Sequence, residues 1–261
     1  MKKGEHSSPF FRPDTIKPIM KVRLLTLYFW LLMLTLLPLL LWQGKRTRDR
    51  TPRLPEAAGE HHGLVAGQGQ ILNVLVLGES TAVGVGVNHI EQGIAGHLVR
   101  TLSGRRKRPV RWQLIGQNGV TIEELRKKVV STELRAFDVV VLVAGVNDAK
   151  ALHSPAQWRH DLELLLEDLH QQAPLAQRYI SAMPPMEKLP ALPQPLAHVM
   201  GVQAARLDLV TAAVANEQAR TYHVPLTLPV DAAHIASDGI HPSEQGYQHW
   251  AMTLAQAIQR P

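Results

Sequence analysis

Apolar positions along the chain fall into runs of different period. Short and nearly continuous runs at 71–77 and 137–143 read as strands buried on both faces. Residues 110–115, interrupted by Arg111 and Gln113, read as a third strand, with weaker ones at 179–182 and 224–228. Between them apolar residues recur at helical spacing, as at Ile90, Ile94, Leu98 and Leu102 or at Trp158, Leu162, Leu165, Leu166 and Leu169. Leu207, Val210 and Val214 mark a further helix, and Tyr247, Trp250, Leu254 and Ile258 a terminal one. Thr121 followed by Glu124 predicts a capping box that opens another. Strands alternating with helices predict βαβ units and a doubly wound α/β sheet. The five prolines of 184–195 predict an irregular loop, and no internal repeat is visible.

One run belongs to neither class. Residues 24–44 carry no charge and are dominated by Leu, Phe, Tyr, Trp and Met. That length suffices to span a ~30 Å hydrocarbon core, which takes about 20 residues. Trp42 is placed to anchor one interface. A cleaved signal peptide is the competing reading, but the stretch exceeds the usual ~7–15 residue apolar region of such peptides and no small-x-small cleavage site follows. The expected layout is a basic tail at 1–23, a transmembrane anchor at 24–44, a basic flexible linker at 45–67 and one α/β domain at 68–261. The protein is thus expected in a membrane, single-pass, of the bacterial inner-membrane kind. Arg12, Lys17, Lys21 and Arg23 nearly balance Lys45, Arg46, Arg48, Arg50 and Arg53, so the positive-inside rule does not choose a side for the domain. Translation from Met20 would leave only Lys21 and Arg23 upstream and would favour a cytoplasmic domain.

The charge distribution follows the same division. Residues 1–56 contain 11 Lys/Arg against 4 Asp/Glu, whereas residues 57–261 contain 17 against 18. The net charge of +6 therefore belongs to the membrane-proximal part, where 45–53 would attract anionic headgroups. The cluster Arg105, Arg106, Lys107 and Arg108 reads as a solvated loop, and no nucleic-acid partner is expected. The absence of cysteine excludes disulfides and thiol chemistry without selecting a compartment.

Four segments carry candidate chemistry, and each follows a predicted strand: Gly78-Glu79-Ser80, Gly119, Gly145-Val146-Asn147-Asp148 and Asp238-Gly239-Ile240-His241. Ligands of open α/β sheets bind beyond the carboxyl ends of the strands, so these segments gather on one edge. A serine hydroxyl is a weak nucleophile until an imidazole takes its proton and a third group holds that imidazole. Ser80, His241 and Asp238 can fill these roles. Each segment alone has an ordinary reading: Ser80 in a glycine turn, Asn147-Asp148 as a turn or helix cap, Asp238 and His241 as a loop hydrogen bond. Their joint occurrence in order is what points to catalysis. His89, His97, His153, His160, His234 and His249 lack such context and read as surface or packing residues. Gly84 and Gly86 are not followed by Gly-Lys-Ser/Thr, and the glycine spacing from Gly78 does not suit a dinucleotide turn. Acids and histidines are scattered, so neither metal nor other cofactor is expected.

The four segments, with Thr81 after Ser80, resemble the blocks of the SGNH/GDSL hydrolase family, over most of residues 71–261. The resemblance implies a three-layer α/β/α flavodoxin-like fold with a parallel five-stranded sheet and a Ser-His-Asp esterase site. It makes Ser80 the nucleophile and a backbone oxyanion donor, Gly119 a second backbone donor, the Asn147 side chain a third, His241 the general base and Asp238 its orienting carboxylate. One departure stands out: the family's first block usually has Asp before Ser, where this chain has Glu79. The loop is expected to adjust with the chemistry retained, at some cost in efficiency. The expected function is a membrane-anchored serine esterase or lipase-like hydrolase acting on lipid, thioester or O-acyl substrates. Acyl transfer at the same site and a non-catalytic membrane-tethered binding module are the alternatives. Met183-Pro184-Pro185-Met186 is a candidate pocket wall.

Overall fold

The computed structural model describes residues 13–132 and 137–258; the start of the basic tail, with Arg12, lies outside the described residues. Helix α1 (Pro13–Arg50) is followed by strand β1 (His62–Val65), β2 (Leu72–Gly78), α2 (Ile94–Arg106), β3 (Val110–Gly116), α3 (Ile122–Val130), β4 (Val139–Val143) and α4 (Val146–Lys150). Then come α5 (Pro155–Gln172), β5 (Gln177–Ser181), α6 (Leu196–Glu217), β6 (Thr221–Val224) and α7 (Glu244–Ile258). The sheet order is β1-β3-β2-β4-β5-β6. Strands β3-β2-β4-β5-β6 are mutually parallel, in the flavodoxin-like 2-1-3-4-5 order, and their core is continuous and apolar, with Val74, Leu75, Val76 and Leu77 fully buried. Helix α2 packs on α7, and α5 packs on both α3 and α6.

The sheet has six strands and is mixed, not five and parallel. The extra strand, β1, pairs antiparallel with the edge of β3 and comes from residues read in the sequence as linker. Its four residues alternate between exposed and half-buried, so they carry no buried run to betray them. The last strand also lies earlier than its apolar run predicts. It occupies 221–224 and not 224–228, because Pro225 has no N–H to donate to the ladder. The capping box at α3 forms, with the Glu124 carboxylate accepting from the Thr121 N–H at 2.8 Å.

Helix α1 runs without interruption through the apolar stretch and on to Arg50, so the first six residues of the expected flexible linker are helical. It does not project away from the domain. Phe29 and Leu40 pack with Val199 and Val202 of α6, and Arg206 of α6 lies 4.3 Å from the Phe29 ring centroid while donating to the Thr26 hydroxyl at 3.2 Å. Gln43 spans the start of α6, donating to the Gln194 carbonyl at 2.7 Å and accepting from the Leu196 N–H at 3.1 Å. Yet only 11% of the most apolar 18-residue window of α1 is buried, and Leu24, Leu27, Trp30, Leu31 and Leu34 are all exposed.

Candidate active site

The site begins where β2 and β4 end side by side. Gly78 and Val143 are partners in the ladder, and a Cβ on Gly78 would come within 2.2 Å of the Val143 carbonyl oxygen. Only glycine permits that approach. This is the point where the strand order reverses, and the chain leaves β2 into Glu79 and Ser80 and leaves β4 through Gly145 into α4. Gly145 has φ +120°, which an L side chain resists, and the turn opens directly into α4, which carries Asn147.

His241 arrives from the other side, on the long loop between β6 and α7. A short antiparallel bridge between Ile235 and Pro242 closes that loop, and the Ala236 N–H donates to the His241 carbonyl at 2.8 Å. Asp238 folds back on its own turn, its Oδ1 accepting from the backbone N–H of Ile240 at 2.9 Å and of His241 at 3.0 Å. Its Oδ2 meets His241 Nδ1 at 2.5 Å, and His241 Nε2 lies 3.0 Å from Ser80 Oγ. Burial opposes the Asp238 charge, but the His241 hydrogen bond and the two backbone donors outweigh it and hold the carboxyl below its ordinary value. Asp238 is thus an anion at neutral pH, suited to hold the imidazole in one tautomer and to stabilise an imidazolium. From α7, the buried Tyr247 hydroxyl donates to the Val85 carbonyl at 2.6 Å and ties the histidine side of the site to the serine loop.

The oxyanion side is assembled on the two neighbouring loops. Among the described residues no protein acceptor meets the backbone N–H of Ser80 or of Gly119. The Asn147 side chain is buried, donates from Nδ2 to the Val120 carbonyl at 3.0 Å and accepts at Oδ1 from Lys150 Nζ at 2.6 Å. With its oxygen held by Lys150, the second Nδ2 hydrogen remains for an incoming anion. Lys150 escapes a motif search because it acts through Asn147; its only sequence signal is its place three residues later on the same helix.

Glu79 holds the same region from beneath. Its carboxylate accepts from the Val146 N–H at 2.8 Å and the Asn147 N–H at 3.0 Å, the first two donors of α4. Burial pushes its pKa up from 4.5 to about 7, against the pull of those two hydrogen bonds. Asp148, fully buried, receives the Ile122 N–H of α3 and lies with Oδ1 3.0 Å from His153 Nδ1, its pKa raised by burial to about 6. His153 therefore has a buried acidic neighbour that sequence reading did not assign to it.

A cavity of about 540 Å³ opens onto this constellation, with Ser80, Asp238 and His241 in its wall. Met186 lines it, whereas Met183 packs over Gly145, so the expected methionine wall is half right in position. No cluster of three or more His, Cys, Asp or Glu able to hold a metal occurs among the described residues.

Residues 76–249 match the model of the GDSL-like Lipase/Acylhydrolase family. The chain belongs to that family. This GDSL hydrolase is accordingly an enzyme of the esterase and lipase type that acts on ester bonds. No curated protein matches the chain. Among solved structures the GDSL hydrolase is similar to TesA, at 18% identity over 72% of this chain and 98% of that one, with a TM-score of 0.57. It is similar to a lipase/acylhydrolase from Enterococcus faecalis, at 19% identity over 72% of this chain and 95% of that one, with a TM-score of 0.55. A carbohydrate esterase of family 2 from Corynascus thermopiles is also similar, at 14% identity over 80% of this chain and 68% of that one, with a TM-score of 0.57. At such identities these likenesses speak for the fold.

Proposed function

We propose that this GDSL hydrolase is a membrane-anchored serine esterase that works through an acyl-enzyme on Ser80. The observation that carries the reading is the unbroken chain from Ser80 Oγ to His241 Nε2 and from His241 Nδ1 to Asp238, set in the wall of an open cavity. His241 takes the Ser80 proton as Oγ attacks the ester carbonyl. The resulting oxyanion accepts from the Ser80 and Gly119 N–H groups and from Asn147. Collapse of the intermediate breaks the bond to the leaving alcohol, which takes the proton from His241. Water then attacks the acyl carbonyl with His241 again as base, and collapse of that intermediate breaks the bond to Ser80 Oγ, which takes the proton from His241 as the acid is released. No step calls for a metal or a redox group.

The anchor reading rests on α1, whose most apolar 18-residue window has mean hydropathy 2.3 and leaves most of its apolar surface for lipid. Arg46 lies 5.2 Å from the Trp42 ring centroid, an arrangement suited to the headgroup level. Because α1 lies against α6 from Thr26 to Gln43, the surface it offers to lipid is the side turned away from the domain, with Leu24, Leu27, Leu31 and Leu34. Solved neighbours include proteins titled as lipases and as carbohydrate esterases. The largely apolar wall of the cavity favours an acyl-chain ester over a polar glycan ester.

The test is hydrolysis of p-nitrophenyl esters, from acetyl to long acyl, by the full chain in detergent micelles, with Ser80→Ala in parallel. Serine-dependent release of p-nitrophenol is expected. Equal rates from wild type and Ser80→Ala would sink the reading.

A further inference from the structure

We propose that α1 is part of the active site itself: its inward face forms one wall of the subsite that receives the acyl chain of the substrate. The inference deepens the esterase reading and rests on it for the position of the reacting carbon. The cavity is lined from α1 by Met33, Leu37, Leu40, Gly44 and Thr47, with Leu41 and Arg48 beside them, and by Thr51 just past the helix end. On α1 they form a single stripe from Met33 to Arg48, where 15 rises of 1.5 Å make it about 22 Å long. The opposite wall is made by Leu196, Val199 and Met200 of α6 together with Met186 and Leu189. Among the described residues the lining holds one acid, Asp238, engaged by His241, and three cations, Arg48, Arg53 and Lys150.

The direction of the stripe follows from connectivity. Just past the C-terminal end of α1, the Glu56 carboxylate accepts from the Asn118 N–H at 2.6 Å and the Ala57 N–H donates to the Val83 carbonyl at 3.0 Å, both beside the serine and oxyanion loops. The polar end of the stripe, Thr47 to Thr51, therefore lies toward Ser80, and Met33 and Leu37 lie away from it. An ester whose carbonyl rests at Ser80 would send its chain up this apolar slot between α1 and α6. Volume and shape agree, since a 540 Å³ slot is of the size that encloses a drug-sized or fatty ligand.

Gly44 sharpens the inference. Glycine is disfavoured inside a helix, yet a Cβ built on Gly44 has no neighbour within 4 Å, so no close helix contact requires glycine there. What its missing side chain leaves is open cavity. Larger residues there can be accommodated without strain and will occupy the slot. Leu34, 77% exposed on the outer side of the same helix, provides a matched control for disturbance of the anchor.

The experiment compares p-nitrophenyl acetate and p-nitrophenyl dodecanoate with the full chain in micelles. Gly44→Leu and Leu37→Trp are expected to lower kcat/KM for the dodecanoate at least tenfold while the acetate value stays within about twofold, and Leu34→Trp to leave the ratio unchanged. A ratio untouched by both inward variants, or lowered as far by Leu34→Trp, overturns the inference while leaving serine-dependent acetate hydrolysis, and so the esterase reading, in place. A second measurement needs no turnover: a diazirine-bearing dodecanoic acid is photolysed on the Ser80→Ala chain and the labelled peptide mapped. Label on the buried Val199 or Met200, diminished in Gly44→Leu, supports the subsite, and its absence from both overturns it even if no ester is hydrolysed.

Discussion

The carboxylate of Glu79 accepts a hydrogen bond from the backbone N–H of Asn147 at 3.0 Å, so the residue preceding the proposed nucleophile holds in place the residue proposed to receive the oxyanion. The longer side chain at this position bridges two loops that a neighbouring pair of strands brings close. Both carboxylate oxygens of Glu79 are engaged, one by Val146 and one by Asn147.

Replacing Glu79 tests that bridge. Glu79→Gln presents one acceptor and one donor to two N–H groups, and Glu79→Asp falls short of them by a methylene. Both variants are expected to lower kcat by about tenfold, corresponding to one lost hydrogen bond of about 1.4 kcal/mol in the transition state. The readout is steady-state hydrolysis of p-nitrophenyl acetate, and wild-type kcat in both would remove Glu79 from its positioning role.

Glu79 also makes stability depend on pH. Its native pKa of about 7 lies above the ordinary value of 4.5, so between the two the folded chain holds a proton that the unfolded chain has released. Stability from this group is complete below about 4.5 and is lost as pH rises through about 7. Thermal unfolding from pH 5 to pH 8 is expected to show a falling Tm, with a flatter slope in Glu79→Gln. An unchanged slope in the variant would assign the dependence to another group.

Asn147 and Lys150 should separate by magnitude. Loss of one oxyanion donor typically costs 10²–10³ in turnover, so Asn147→Ala is expected to lower kcat by about that factor with little change in KM. Lys150→Met leaves the amide in place but releases its oxygen, and a loss of about three- to tenfold is expected. Rates of the two variants, measured with KM and kcat resolved, check the order.

Asp238→Asn should act on the base and not on binding. The amide cannot stabilise an imidazolium and favours the wrong tautomer, for which a loss of about 10⁴ in kcat is the general expectation. Substrate binding by Asp238→Asn in the Ser80→Ala background should be unchanged, and a weakened affinity there would point to a loop that has lost its shape.

Asp148 is a structural prediction. It is fully buried, joins α3 to α4 by accepting the Ile122 N–H and lies beside His153. Asp148→Ala leaves that donor without an acceptor in the interior, and a loss of roughly 1–3 kcal/mol is expected. Chemical denaturation of the full chain provides the measurement.

The pattern of residues along this chain already contained the strands that hold the site: 71–77 and 137–143 are read off directly, because parallel strands buried on both faces must be apolar throughout, and 110–115 from apolar residues that alternate with Arg111 and Gln113. It contained Ser80 and Asn147 as well, since a short loop after a strand keeps its chemistry-bearing residues close in sequence to that strand, whereas Asp238 and His241 lie on the long loop after β6 and were legible only through their three-residue spacing. It did not reveal β1, whose pairing depends on the exposed edge of β3 and not on any burial of its own, nor the end of β6, which Pro225 sets. Above all, 24–44 is uniformly apolar and so has no face of its own. Only the packing of α1 against α6 divides that surface into an exposed side and a side turned to the cavity that holds Ser80, because which neighbour covers a helix is decided by the rest of the fold.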